Sequence, residues 1–202
     1  MIRNLDDLIG YTRKLGDKLP ALRDSIVLER PGCTLEVANE IGEALPGIPE
    51  SYLDVAKAIR LVGIAIGYFQ LAPNSYNGTD LLEKLVDCNS TTAMRSRFDD
   101  DGVFQVASWE ADPIAVVHRS GRHAVGEVLK YNAGNPEQDA AALANSFEQF
   151  LLLAGNLDAV RDKYADVDDP SEGIPEFEAC LGEIASGRDV SAWKIIAEVV
   201  LS

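Results

Sequence analysis

The chain has 202 residues, of which 47% are hydrophobic and 25% charged, a composition typical of one folded domain and unlike that of a disordered protein. It contains 18 Lys and Arg against 33 Asp and Glu, so its net charge is −15. Phosphate backbones repel such a surface, and we therefore expect no direct nucleic-acid binding. A basic protein partner would be attracted to it, although the acidity could also serve solubility alone.

The cysteines and the N-terminus indicate a cellular compartment. Cys33, Cys88 and Cys180 are far apart in the sequence and form no CxxC motif, which favours reduced, buried thiols over a disulfide framework. The first residues contain no apolar segment of the signal-peptide kind, and no apolar run is long enough to span a membrane. We expect a cytoplasmic protein without membrane contacts.

Helical spacing of apolar residues predicts several helices in the first half of the chain. Residues 4–19 follow this spacing behind a capping Asn4, and residues 35–45 and 48–59 repeat it. Asp80 offers the capping chemistry for another helix that reaches about Cys88.

Alternation of apolar residues predicts strands elsewhere. Residues 26–30 could form a short strand, and residues 61–71 predict one central strand buried on both faces. Three further runs, 102–109, 112–118 and 124–131, are joined by connections short enough for antiparallel hairpins.

The remaining segments predict a turn, two helices and an extension. Asp99 to Gly102 reads as a turn. Asn135 and Pro136 mark a helix start, the apolar pattern continues to Gly155 as the helix end, and residues 157–164 form a short helix.

The C-terminal part begins with an acidic linker over residues 166–173. Two small amphipathic helices follow at 174–184 and 193–200. We expect residues 166–202 to form a helical extension packed on the domain that precedes them.

Motifs for catalysis or for metal binding are not evident. His118 and His123 flank one hairpin turn, but the spacing fixes no carboxylate or thiol beside them. The run Asp99 to Asp101 lacks the alternating acidic spacing of a calcium loop. We expect no metal, no cofactor and no enzyme activity, while a carboxylate pair stays an open alternative because sequence does not fix side-chain distances.

Four segments between residues 35 and 155 carry a family resemblance. They are Leu45-Pro46 with the helix through Tyr52, the passage from Phe69–Pro73 to Asp80–Glu83, the meander from Val103 to Tyr131, and the run Ser146 to Leu151. Together they resemble the SUKH superfamily, which includes fungal cell-wall synthesis regulators and bacterial toxin-immunity proteins. Trp109 to Asp112 departs from the Gly-Asp that the family often has after the first meander strand.

The resemblance implies a SUKH-like α+β domain over residues 1–165, with an antiparallel or mixed sheet packed by helices and no catalytic centre. It also implies an immunity protein that binds and neutralises a cognate secreted toxin, and the acidity favours a basic one such as a nuclease. A homodimer is left open. A general regulatory or scaffold domain is the alternative, and a small hydrolase would need a deep pocket with paired carboxylates or both histidines.

Candidate contacts for the toxin lie at the two ends of the first meander strand. They are Asp99, Asp100, Asp101, Trp109, Glu110 and Asp112. Carboxylates suit a basic partner, and an exposed tryptophan would suit a binding hot spot. The competing interpretation places Trp109 in the core and leaves the acidic turn solvated.

Overall fold

An antiparallel β-meander forms the centre of the fold. The computed structural model describes residues 1–75, 77–186 and 189–202, and within them six strands neighbour each other in chain order. The strands are β1 (Ala65–Ile66), β2 (Phe69–Gln70), β3 (Val103–Trp109), β4 (Asp112–Val117), β5 (Val128–Lys130) and β6 (Ala141–Ala144).

Helices surround this sheet, which confirms the predicted α+β class. In the described part of the chain, every helix is too short or too polar to cross a membrane. Short 3-10 turns occupy Pro20–Leu22 and Pro170–Gly173. The helices are α1 (Leu5–Lys18), α2 (Arg23–Ile26), α3 (Leu35–Ala44), α4 (Glu50–Ala58), α5 (Leu81–Thr91), α6 (Arg95–Asp101), α7 (Phe147–Tyr164), α8 (Ile174–Ile184) and α9 (Ser191–Val200).

Polar caps set the starts of four helices. The side chains of Asn4, Thr34, Asp80 and Ser146 each accept a hydrogen bond from the backbone N–H three residues later. Each bond satisfies one amide that the helix itself leaves unpaired. The predicted helices at 4–19, 35–45 and 48–59 and the one that starts at Asp80 are confirmed, the last extending past Cys88.

The two faces of the sheet pack against different helices. Ile114, Val116 and Val128 belong to the main core, which also contains α7. Ala115, Val117 and Leu129 alternate with them and face the opposite side, where Phe98 of α6 and Tyr131 complete a smaller core. The sheet is therefore covered on both faces along β4 and β5.

The C-terminal helices are part of the main core. Trp193 of α9 is fully buried, and its Nε1 donates a 2.7 Å hydrogen bond to the carbonyl of Leu143. Its ring lies 5.6 Å from that of Phe69 and 6.0 Å from that of Phe177 on α8. Phe150 of α7 is fully buried in the same cluster.

Two strand predictions in the first half were wrong. Residues 26–30 form no strand: Ile26 ends α2, and Leu28 is buried beside α1, where its N–H donates to Thr12 Oγ1. Residues 61–71 form the short strands β1 and β2 instead of one central strand. The chain reverses between them at Gly67, whose φ of 57° ends the extended conformation, and β1 lies at the sheet edge.

Four boundary predictions in the second half were also wrong. Asp99 to Asp101 form the last turn of α6, which Gly102 ends, and only residues 128–130 of the predicted third meander strand pair as β5. Residues 141–144 form β6, so no helix starts at Asn135. Helix α7 passes through Gly155 without interruption because the missing Cβ there admits Leu8 of α1, and residues 157–164 belong to the same helix.

Candidate functional site

The six predicted contact residues fall into two groups. Trp109, Glu110 and Asp112 lie at the β3–β4 turn, whereas the three aspartates end α6 just before β3 begins. The seven residues of β3 separate the groups by roughly 20 Å of strand. The structure therefore does not bring the six residues together as one patch.

Three of the predicted carboxylates contact neighbouring cations: Asp99 lies 3.8 Å from Arg95 Nε, and Asp101 and Asp112 have closer contacts. Asp101 lies 2.7 Å from Arg97 Nε and accepts a 2.9 Å hydrogen bond from the hydroxyl of Tyr131. Asp112 forms an ion pair with Lys130 and accepts the N–H of Ala133 at 2.9 Å. These contacts within the protein satisfy the carboxylates of Asp101 and Asp112. Both groups are therefore less available for ion pairs with a partner.

Trp109 packs half-buried against the core. Its ring stacks 6.2 Å from that of Phe69, and Lys130 Nζ lies 4.5 Å from the ring centre. The indole N–H is buried and has no hydrogen-bond partner in the described part of the chain. These contacts agree with the interpretation of Trp109 as a core residue. Glu110 beside it is exposed and has a positive φ of 51°, a strained conformation for a residue with a Cβ.

A second acidic surface lies on α3. Glu36, Glu40 and Glu43 are spaced so that they share one face of the helix, and all three are exposed. Within the described residues none of them has an ion-pair partner, and α3 contains no Lys or Arg. We call these three glutamates the α3 ridge.

The cations nearest in the sequence, Arg30 on one side and Lys57 and Arg60 on the other, contact other carboxylates. Arg30 Nη2 lies 2.9 Å from Oδ1 of Asp6. Lys57 of α4 lies 3.0 Å from Glu50 and 2.9 Å from Asp54, and these contacts raise the pKa of its ammonium group. Arg60 lies 3.6 Å from Glu29, and its Nη2 donates to a backbone carbonyl at 3.0 Å. Within the described residues, no ion pair therefore compensates the negative charge of the α3 ridge.

An apolar groove of about 410 Å³ lies beside the ridge, between the starts of α3 and α5 and the end of α4. We call it the α3–α5 groove. Its apolar lining side chains are Val37, Ala56, Leu61, Val62 and Leu81.

The backbone fixes one wall of the groove. The N–H of Gly32 donates to the carbonyl of Lys57 at 3.0 Å, and that of Cys33 donates to Ala56 at 2.8 Å, so the loop before α3 closes over the end of α4. Burial raises the pKa of the Cys33 thiol, which makes it a poor nucleophile. Leu35, next to the lining residue Thr34, is 66% exposed.

The two histidines lie apart from the groove. The ring of His118 stacks 4.0 Å from that of Phe104, and burial, with Arg119 second, lowers its pKa. His123 Nδ1 lies 3.1 Å from Glu127. Neither histidine lines the α3–α5 groove or the cavity of about 420 Å³ between the N-terminus, α7 and α8.

Metal-ligating side chains do not gather in the described part of the chain, where no cluster of three His, Cys, Asp or Glu has the geometry for a metal ion. The free thiols are also dispersed, with Cys88 and Cys180 buried and Cys33 half-buried.

Sequence reasoning missed the α3 ridge, although the sequence contains a signal for it. No Lys, Arg or His occurs from Pro31 to Ala56, and the three glutamates recur at helical spacing within that stretch. Charge counted over the whole chain hides this local segregation, whereas charge counted along each predicted helix face would have found it.

Comparison with known proteins gave no relatives. No protein-family model matches the sequence, and neither curated proteins nor solved structures gave a match.

Proposed function

We propose that the chain is an immunity protein that captures a basic toxin through the α3 ridge. The observation that carries this proposal is the set of three exposed glutamates on one helix face, each without an ion-pair partner in the described residues. A site of this kind suits a partner that brings its own Lys and Arg side chains.

The ridge carries a local cost that a basic partner would offset. Glu36 and Glu40 are four residues apart, and Glu40 and Glu43 three apart. Like charges at these spacings destabilise a helix by about 0.2–0.5 kcal/mol per pair. Surface features that weaken the free protein in this way are typical of binding sites.

Association with a basic toxin would also be fast. A net charge of −15 creates an attractive field for cations around the whole molecule. Such steering raises association rates at low ionic strength, which suits a protein that must capture a toxin before damage occurs.

A nuclease is the toxin class that fits this chemistry best. Its substrate-binding face must be basic to hold a phosphate backbone, and a row of carboxylates can occupy the same face. The SUKH-like segments of the sequence support the immunity role, and three free thiols are compatible with action in the cytoplasm.

Co-expression tests the proposal. The toxic protein encoded beside the gene is produced in a bacterial host with and without this chain, and survival is counted. Wild-type chain should protect the host. The variant with Glu36→Gln, Glu40→Gln and Glu43→Gln should protect poorly, whereas Asp166→Asn, Asp168→Asn and Glu172→Gln, which remove the same charge elsewhere, should protect fully. Death of the host despite the wild-type chain, or a gene neighbourhood without a toxin, contradicts the proposal.

A further inference from the structure

The α3–α5 groove adjoins the α3 ridge, and the two share helix α3. Val37 lines the groove and lies between Glu36 and Glu40 in sequence. We propose that the groove receives one bulky apolar side chain from a basic segment of the toxin, while Lys or Arg residues flanking that side chain contact the ridge. This inference rests on the proposed function and adds to it the contact that anchors the partner.

The groove has the size and lining for one side chain. Its volume of about 410 Å³ falls within the range of about 300–1,000 Å³ typical of ligand pockets. The lining side chains Val37, Leu61, Val62 and Leu81 are aliphatic, and aromatic or aliphatic anchors in such pockets are typical of binding hot spots.

The distance between groove and ridge matches a single short segment. Val37 and Glu40 are three residues apart on α3, which places their Cβ atoms about 5–6 Å apart. Residues next to an inserted side chain would therefore come within reach of Glu36 or Glu40.

The charge around the α3–α5 groove indicates which kind of partner occupies it. A second copy of this chain would bring another net charge of −15 to a ridge that is already negative, so self-association there is disfavoured. Arg60 is the one cation among the described lining residues, and its guanidinium already contacts Glu29 and the carbonyl of Asp24. A cationic segment is therefore the complementary partner.

Two synthetic peptides test the inference on the wild-type protein. The first is Lys-Lys-Trp-Lys-Lys and the second is Lys-Lys-Ser-Lys-Lys, which has the same charge and no apolar anchor. In an NMR titration of the ¹⁵N-labelled chain, the Trp peptide should shift the amides of Val37, Ala56, Val62 and Leu81 in a saturable way. Its affinity should exceed that of the Ser peptide at least tenfold. Equal affinities, or saturable shifts confined to another surface, overturn the inference.

A groove-filling variant provides a second test. Val62→Trp should reduce the affinity for the Trp peptide at least tenfold and leave that for the Ser peptide unchanged, while the ridge variant should weaken both. Val125→Trp, at an exposed valine away from the groove, is the matched control and should change neither. Unchanged Trp-peptide binding by a folded Val62→Trp variant contradicts the inference.

Binding and neutralisation assays with the toxin distinguish a failure of this inference from a failure of the proposed function. If Val62→Trp binds and neutralises the toxin like wild type, the groove is not the anchor although the function stands. If the wild-type chain binds the Trp peptide in the groove but not the toxin, the groove site stands and the immunity role fails.

Discussion

The hydroxyl of Tyr11 donates a 3.0 Å hydrogen bond to Oδ2 of Asp158 and so joins α1 to α7 inside the protein. The carboxylate of Asp158 is almost fully buried, and its second oxygen lies 2.7 Å from Arg161 Nη2. Burial raises the pKa of both Tyr11 and Asp158. The contact joins a partly buried tyrosine to a buried carboxylate at the edge of a largely apolar core.

Loss of the Tyr11 hydroxyl should destabilise the fold. Tyr11→Phe leaves a buried carboxylate oxygen without its donor, and we expect a loss of about 1–3 kcal/mol in the free energy of unfolding. Tyr52→Phe is the matched control, because the buried Tyr52 hydroxyl has no hydrogen-bond partner in the described residues. That change should be neutral or stabilising by up to about 1 kcal/mol. Urea unfolding measures both free energies. Equal losses of stability in the two variants would contradict a stabilising hydrogen bond between Tyr11 and Asp158.

Asp158 should make stability depend on pH. Its pKa is raised in the folded state, first by burial, so it contributes stability that is fully present below the unfolded pKa of about 3.9 and is lost as pH rises through the folded pKa. Asp158→Asn does not titrate. The unfolding free energy of this variant relative to wild type should therefore increase as pH rises above about 4. A relative stability that is flat or falls over this range would show that the carboxylate is not penalised by burial.

Close packing at Gly155 should make alanine unfavourable there. Alanine normally stabilises a helix interior by about 0.5–1 kcal/mol over glycine, and this is the expected result for Gly10→Ala in α1, where an added Cβ meets nothing within 4 Å. At Gly155 the added Cβ would lie 2.4 Å from Cδ1 of the fully buried Leu8. We expect Gly155→Ala to cost about 1–3 kcal/mol in thermal or urea unfolding. Stabilisation at both positions would contradict the packing.

Capping residues close in sequence predicted several helix starts. The element boundaries that were predicted wrongly depend on contacts between residues far apart in sequence. Asn4 and Asp80 predict the starts of their helices because each side chain accepts a hydrogen bond from a backbone N–H only three residues later. Gly155 looks like a helix end, and only its contact with Leu8 on α1 explains why α7 continues. The strand β6 pairs with β5 at a bulge and shows no distinctive alternation, so its position depends on that partner.

The candidate site, too, could be predicted only in part from the sequence. The glutamates of α3 are visible in the sequence. That no described cation pairs with them depends on the other contacts of Arg30, Lys57 and Arg60. Asp101 looks like an exposed acidic residue in sequence, and its contacts with Arg97 and Tyr131 come from the packing of α6 on the sheet. Whether a carboxylate is held within the fold or is available to a partner therefore depends on side chains that are distant in sequence.

The C-terminal helices should be part of the cooperative fold. Trp193→Ala removes a fully buried ring and its hydrogen bond to Leu143, and we expect a loss of about 3–5 kcal/mol. Ile195→Ala on the same helix is the control, because Ile195 is 62% exposed and should change stability by less than about 0.5 kcal/mol. Circular dichroism during urea unfolding measures both. A small loss at Trp193 would mean that α9 is only loosely attached.

Calorimetric binding of the toxin tests the central claim, that the α3 ridge is the partner-binding surface. Three variants are compared with wild type at low and high salt, each with three carboxylates neutralised. They are the ridge variant at Glu36, Glu40 and Glu43, a meander variant at Asp99, Asp100 and Glu110, and a remote variant at Asp166, Asp168 and Glu172.

The ridge variant should lose at least tenfold in affinity at low salt, with a smaller loss at high salt because exposed charges are screened. The other two variants should lose less than threefold. A selective loss in the meander variant would move the site to the β3–β4 turn and the end of α6, and equal losses in all three would show that net charge alone attracts the toxin. Either result would contradict the assignment of the α3 ridge.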